Sequence, residues 1–303
     1  MDLNFQFNKE RGVGDLIQDF ISLFRQIFKH YIATLLTLSL PLIGMIILLT
    51  FLATSQINDI EYFDLATTPA ILFIGYGLAL LFMVLFLGIL CNEYMILLRD
   101  RNNTDFNYKT VLKSAKSNFK TYITGGFVLF LFSLIIIIPV SIIYIILIFI
   151  PIIGGLAANF ISMFLMIFYY CAFMLYREKK FGMIDAIRNT FPFLKKNWLN
   201  HTSSLFLFQF LLGIIMLILL IIPFILFFII GFNSASFFSD FFTTYWGKIV
   251  ISFVSGILSF GYILSIMINN SFVFLIYCSN NETKYHESVL ESIQSIGQTT
   301  DEV

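Results

Sequence analysis

Charged residues are scarce in this chain: Asp, Glu, Lys and Arg make up only 12% of its 303 residues, about half the share of a water-soluble domain. Eighteen bases balance eighteen acids, so the net charge is zero and no global field draws in nucleic acid or an acidic ligand. The three cysteines, Cys91, Cys171 and Cys278, lie in or beside apolar runs. Their odd number and the lack of CxxC or zinc spacing support neither a disulfide framework nor a metal knuckle. The three histidines, His30, His201 and His286, are too few and too scattered to hold iron as an intramembrane desaturase or hydroxylase does. A Walker lysine loop and a zincin helix are missing as well. Neither an enzyme nor a cofactor is therefore expected.

Apolar residues are what the chain has in abundance, at 59% of the sequence and a mean hydropathy of +0.90. A helix needs about 20 apolar residues to cross the hydrocarbon core. Runs of that kind occur six times: Tyr31 to Ala53, Ala70 to Leu98, Tyr122 to Ile148, Gly154 to Tyr176, Ser203 to Ile230 and Ile249 to Tyr277. The third and fourth are nearly continuous, and only Pro151 with Gly154 and Gly155 supplies turn chemistry to part them. The residues before Tyr31 are polar or amphipathic, so no secretory leader is expected at the front.

The basic residues set an orientation. Counting the segments before the first span, between the second and third, between the fourth and fifth, and after the sixth, seventeen of eighteen Lys and Arg fall on one side, with only Lys248 opposite. The positive-inside rule makes that side the cytoplasm and places both termini there. Asp59, Glu61, Asp64 and Asp240 then belong to outer loops, and Tyr245 with Trp246 suits an interfacial belt.

A pattern recurs ahead of the odd-numbered spans. Leu16, Ile17, Phe20, Leu23, Phe24, Ile27 and Phe28 alternate at helical spacing with polar residues, which predicts an amphipathic helix lying in the cytoplasmic interface. Asp185, Ile187, Leu194, Lys195, Lys196 and Trp198 repeat Asp15, Ile17, Phe24, Arg25, Gln26 and Phe28 at an offset of 170. A weaker copy places Tyr108, Lys116, Phe119 and Tyr122 at 91 positions beyond Ile17, Arg25, Phe28 and Tyr31. Pro192 is expected to break or kink its copy just ahead of itself. Arg99, Asp100 and Arg101 close the second span as Arg177, Glu178 and Lys179 close the fourth. The predicted fold is all-α: a polytopic membrane protein of six transmembrane helices with cytoplasmic-side interfacial helices, in three approximate parallel repeats over about 13–98, 106–176 and 182–278. The membrane domain then covers 1–278, and 279–303 forms a polar cytoplasmic tail that is either a docked helix carrying Val289, Leu290, Ile293 and Ile296 or disordered.

The run Lys9, Glu10, Arg11, Gly12, Val13, Gly14, Asp15, Leu16, Ile17 and the later Gly182, Asp185, Ala186, Ile187 each feed an amphipathic helix and then a hairpin. In this the chain resembles a broad group of uncharacterised bacterial six-helix membrane proteins, including the membrane domain joined to some glycerophosphodiester phosphodiesterases. The resemblance covers nearly the whole chain on loose motifs. It implies a location in the bacterial inner membrane; the phosphodiesterase activity of those proteins is not carried over.

Polar residues inside the spans are the candidate site: Asn92, Glu93, Asn269, Asn270 and Gln209. Glu93 stands out, because a carboxylate about 9 Å of helix rise before Arg99 is costly unless paired or wet. Two readings are open for it, a proton or ligand site near the cytoplasmic mouth and an interfacial residue that snorkels or pairs with a cation. Ser252, Ser255, Gly256 and Ser259 on one face, like Gly154, Ala158 and Ser162, predict close helix packing. The function expected is an accessory, scaffold or envelope-homeostasis component whose partners are membrane lipids and other membrane proteins. The alternative is a transporter or channel for a small or lipophilic solute.

Overall fold

The computed structural model describes residue 3 and residues 5–55, 68–231 and 244–298. All regular structure among these residues is helical: α1 (Val13–Ser55), α2 (Thr68–Arg101), α3 (Tyr108–Ser117), α4 (Phe119–Ile148), α5 (Ile153–Arg177), α6 (Met183–Leu194), α7 (Trp198–Gly231) and α8 (Tyr245–Gln298). Six of them, α1, α2, α4, α5, α7 and α8, are long and apolar enough to cross a membrane, in the order the sequence predicts. By helix length and hydropathy the chain is a multi-pass membrane protein. Helices are the form these runs must take, since in hydrocarbon a backbone can satisfy its polar groups only within its own ladder. In α4 the most apolar stretch buries none of its residues against protein, so lipid is its solvent.

The α4–α5 hairpin turns at Pro151, as its turn chemistry predicts. Phe149 and Ile150 donate their N–H groups to the carbonyls of Ile146 and Leu147 at 3.2 and 3.0 Å, which ends α4. Ile152 then takes φ 63°, a left-handed value that a β-branched residue rarely adopts. At Gly154 a β-carbon would stand 1.8 Å from the Leu147 carbonyl oxygen, so only glycine lets the two backbones come this close. Tyr144 bonds to Ser162 at 2.5 Å and donates to the Ala158 carbonyl at 3.2 Å, which puts those small residues in the helix contact predicted for them.

Three features differ from the sequence reading. First, no separate interfacial helix precedes the first span, because α1 runs unbroken for 43 residues. Leu16, Phe20, Leu23 and Ile27 form a buried stripe, and Phe20 meets the rings of Phe208 and Phe272 at 5.1 and 5.3 Å. The apolar face has protein to cover it, so the segment need not turn into the headgroups. Second, α6 continues through Pro192 to Leu194. The proline sits in the last turn, where it removes only one ladder bond. Third, α8 does not end at Cys278 but continues to Gln298. Ser279, Asn280 and Thr283 are buried in it because each has a partner. The Ser279 hydroxyl accepts the Arg11 N–H at 3.1 Å, the Asn280 amide lies 2.9 Å from His201 Nδ1, and Thr283 donates to the Ser279 carbonyl at 3.2 Å. The side chains of Val289, Leu290, Ile293 and Ile296 lie outside the described residues, as do Asp59, Glu61, Asp64 and Asp240.

The chain packs as two compact units. The first comprises Met1–Phe28, Asn92–Gln209 and Ser271–Val303. Its core is aromatic, with Phe208 stacked on Phe272 at 4.3 Å, and every residue from Ser271 to Asn280 is buried. The second comprises Lys29–Cys91 and Phe210–Asn270. Here the Tyr31 hydroxyl meets Cys91 Sγ at 3.2 Å, and Tyr76 reaches Ser255 and Ser259 at 3.2 and 3.1 Å. A β-carbon at Gly256 would come within 2.5 Å of the Ile47 side chain, so the small face of α8 serves close packing against α1.

Candidate functional site

The first unit gathers its ionisable groups around two carboxylates, Glu93 on α2 and Glu178 just past the end of α5. Glu93 has no exposed surface. Its Oε1 accepts from Arg177 Nε at 2.9 Å, Arg177 Nη2 at 2.8 Å and the Tyr122 hydroxyl at 2.9 Å. Its Oε2 accepts from Arg177 Nη2 at 3.0 Å and from the Ser114 hydroxyl at 2.6 Å. Ser114 belongs to α3, Tyr122 to α4 and Arg177 to α5, so one carboxylate ties α2 to three other helices. A carboxylate has about four lone-pair positions, and these donors fill them. The arrangement meets the requirement for a buried charge, an opposite charge of good geometry with every remaining lone pair bonded.

Glu178 completes a second cluster a few ångströms of chain away. Its Oε1 accepts from Arg99 Nη1 at 2.5 Å; its Oε2 accepts from the Tyr277 hydroxyl at 2.7 Å and pairs with Lys180 Nζ at 3.0 Å. Lys180 also donates to the Tyr277 hydroxyl and to Asn281 Oδ1, at 3.1 and 2.8 Å. Burial alone pushes the Glu178 carboxyl upward, but the hydrogen bond and charge of Arg99, with Tyr277 and Lys180, outweigh it and hold the group below its ordinary value. The two clusters are reciprocal. Glu93 of α2 takes the arginine that closes α5, and the arginine in the last turn of α2 goes to the acid that follows α5. Both arginines stand in C-terminal turns, where the helix dipole also favours a cation.

Elsewhere in this unit Arg11 is buried ahead of α1. Its Nε pairs with Asp19 at 2.9 Å, and its Nη1 donates to the carbonyls of Phe7 and Lys9 at 2.8 and 3.0 Å. Its Nη2 donates to the Gln6 carbonyl, and the guanidinium lies 5.2 Å over the Phe5 ring. Residues 5–9 are thereby wound around one cation.

Of the residues predicted for a site, Asn92 and Glu93 both face α5. The Asn92 Oδ1 accepts from the Tyr170 hydroxyl at 2.8 Å. Gln209 in α7 reaches Met166 Sδ at 3.8 Å and joins neither Asn92 nor Glu93. Asn269 and Asn270 fall in the second unit, and Asn269 Oδ1 is buried without a partner among the described residues. Among the described residues no group of His, Cys, Asp and Glu could hold a metal ion.

Several members were not singled out from sequence. Ser114, Tyr122 and Tyr277 carry no charge, and nothing but three-dimensional proximity marks their hydroxyls. Arg11 looks like its neighbour Lys9 until the chain folds over it. A signal did exist for Arg99, Arg177 and Glu178, since the matching charges that close the second and fourth spans are visible by eye. Comparison of the chain with protein families, with curated proteins and with solved structures finds no match.

Proposed function

We propose that this chain is a non-catalytic component of the cytoplasmic membrane, an accessory, scaffold or envelope-homeostasis protein that works through membrane lipids and other membrane proteins. The observation that carries this reading is the saturation of Glu93. A carboxylate that shuttles protons or binds a solute has to exchange partners, whereas this one is held by a guanidinium and two hydroxyls with no surface left open. Asn92 and Gln209 are likewise engaged by separate neighbours instead of sharing a polar path.

In this reading both termini face the cytoplasm, as the seventeen cations on that side require. The three-repeat organisation draws support from helix starts. Gly12 and Gly182 stand immediately before α1 and α6, and Asp15 and Asp185 lie in the first turns, both at an offset of 170. The third and seventh positions after each start are buried in all three copies: Leu16 and Phe20, Val111 and Ala115, Ala186 and Thr190. That register sets the middle copy 95 positions after the first, from Val13 to Tyr108, in place of 91. Exposed apolar residues on α3 and α6, Leu112, Ile184 and Phe191 among them, suit helices lying at the hydrocarbon boundary. Kinship with the uncharacterised six-helix membrane family belongs to the same proposal, on the motifs at 9–17 and 182–187.

The transport alternative draws on Asn269, whose side-chain oxygen is buried without a partner among the described residues. Complementation separates the two. In cells lacking the chain, Glu93→Gln and Arg177→Met are each expected to lower its abundance. The double variant is expected to restore abundance and phenotype together. Restored abundance with the phenotype still lost would overturn the accessory reading in favour of a working carboxylate.

A further inference from the structure

On the lipid-facing side of the first unit, one face of α4 and one face of α6 enclose an open groove of about 350 Å³. Val128, Leu131, Phe132 and Ile135 supply the α4 wall at helical spacing i, i+3, i+4, i+7; Ile184 and Ile187 supply the other. The lining is hydrocarbon throughout; Arg188, one turn beyond Ile184, contributes the methylenes of its side chain. Arg188 is exposed and has no acidic partner among the described residues, in contrast to Arg11, Arg99 and Arg177, each of which is paired. Lys120, also exposed, stands on the same stripe of α4 as Leu131, three turns nearer the start of the helix.

Depth agrees with charge. From Val128 to the end of α4 at Ile148 the helix rises about 30 Å, the thickness of a hydrocarbon core. The groove therefore opens at the hydrocarbon edge on the side where α4 begins, the level at which a lipid's phosphate meets its acyl chains. We propose that this groove binds one anionic phospholipid, with an acyl chain along Val128 to Ile135 and the phosphodiester on the Arg188 guanidinium. Arginine's planar fork matches a phosphate bidentately, and a headgroup lacking its own amine leaves that charge uncompensated. No covalent step is involved, and the site is separate from the Glu93 and Glu178 clusters.

Native mass spectrometry of the delipidated full chain, titrated with phosphatidylglycerol, phosphatidylcholine or inorganic phosphate, tests this. The wild type is expected to keep one phosphatidylglycerol in preference to phosphatidylcholine. Arg188→Gln is expected to lose that preference by roughly tenfold, the scale of one charge-assisted bond. Leu131→Trp, which fills the groove, is expected to lose both lipids. Both side chains project out of the bundle, and Ile184→Asp repeats the groove arm should the tryptophan variant not fold. Unchanged retention in the groove variants overturns the proposal. So does displacement of the lipid by inorganic phosphate at equal concentration, which would need no acyl groove. A change of oligomeric state in Leu131→Trp without loss of lipid overturns it in favour of a second copy of the chain as occupant.

Discussion

Glu93 and Arg177, 84 residues apart, meet through three hydrogen bonds of 2.8, 2.9 and 3.0 Å, with the Glu93 side chain wholly buried and that of Arg177 14% exposed. The pair couples α2 to the last turn of α5, and the hydroxyls of Ser114 and Tyr122 bring α3 and α4 to the same point. Taking two charges out of water is expensive, and it is recovered only while both partners stay in place.

Arg177→Met is therefore expected to cost about 3–5 kcal/mol, since it strands a buried carboxylate. Glu93→Gln paired with Arg177→Met is expected to recover most of that loss. Thermal unfolding of the detergent-solubilised chain checks it through a double-mutant cycle, and strict additivity would show that the two residues do not interact.

Glu178 predicts an acid limb. Its carboxyl is held below the ordinary glutamate value of about 4.3, so the folded chain gains stability from it that is complete above that value. The gain is lost as pH falls through the lowered value, because there the folded state must take up the proton it resisted. Glu178→Gln should flatten this limb in a melting-temperature profile taken from neutral to acid pH. A variant with the same acid slope as the wild type would remove Glu178 as its cause.

The hairpin supplies a contrast between adjacent glycines. Gly154→Ala sets a β-carbon against the Leu147 carbonyl at 1.8 Å, whereas Gly155→Ala meets nothing within 4 Å. The first is expected to destabilise by about 1–3 kcal/mol or more, as overpacking does. The second should be neutral or stabilising by up to about 1 kcal/mol, the helix preference for alanine. Equal melting temperatures for the two would mean that the turn is not built as described.

Arg11→Gln is expected to release the N-terminal segment, because the bonds to Gln6, Phe7, Lys9 and Asp19 converge on that one guanidinium. Limited proteolysis of the solubilised chain should then cleave ahead of α1 faster in the variant. Identical cleavage patterns would show that the segment is held by Leu3 and Phe7 in the core alone.

Topology is open to the same directness. Reporter fusions at the two termini should both report a cytoplasmic location, and a fusion near Lys248 the opposite side. Termini on opposite faces would require an odd number of crossings.

Much of the fold was legible from sequence because lipid is an undemanding solvent: a span needs length and apolarity, and both can be counted. The α4–α5 turn at Pro151 was legible for a similar local reason, since only there does turn chemistry interrupt the apolar run. Pro192 and the segment from Leu16 to Ile27 misled, because proline is tolerated in a last turn and an amphipathic face can be covered by protein as well as by a membrane surface. Glu93 could be singled out as costly, but the identity of its partners depended on four helices converging.

The sequence by itself determined that the chain has six runs long and apolar enough to cross a membrane, since length and hydropathy are read along the chain alone. Only the tertiary structure decided that the opening amphipathic stretch is one helix with the first span. It also decided that Arg177 answers Glu93 while Arg99 answers Glu178, and that Arg188 borders an apolar groove with no acidic partner among the described residues. A buried charge chooses its partner by distance and by the desolvation both must undergo, and neither is set until distant turns of the chain are brought together.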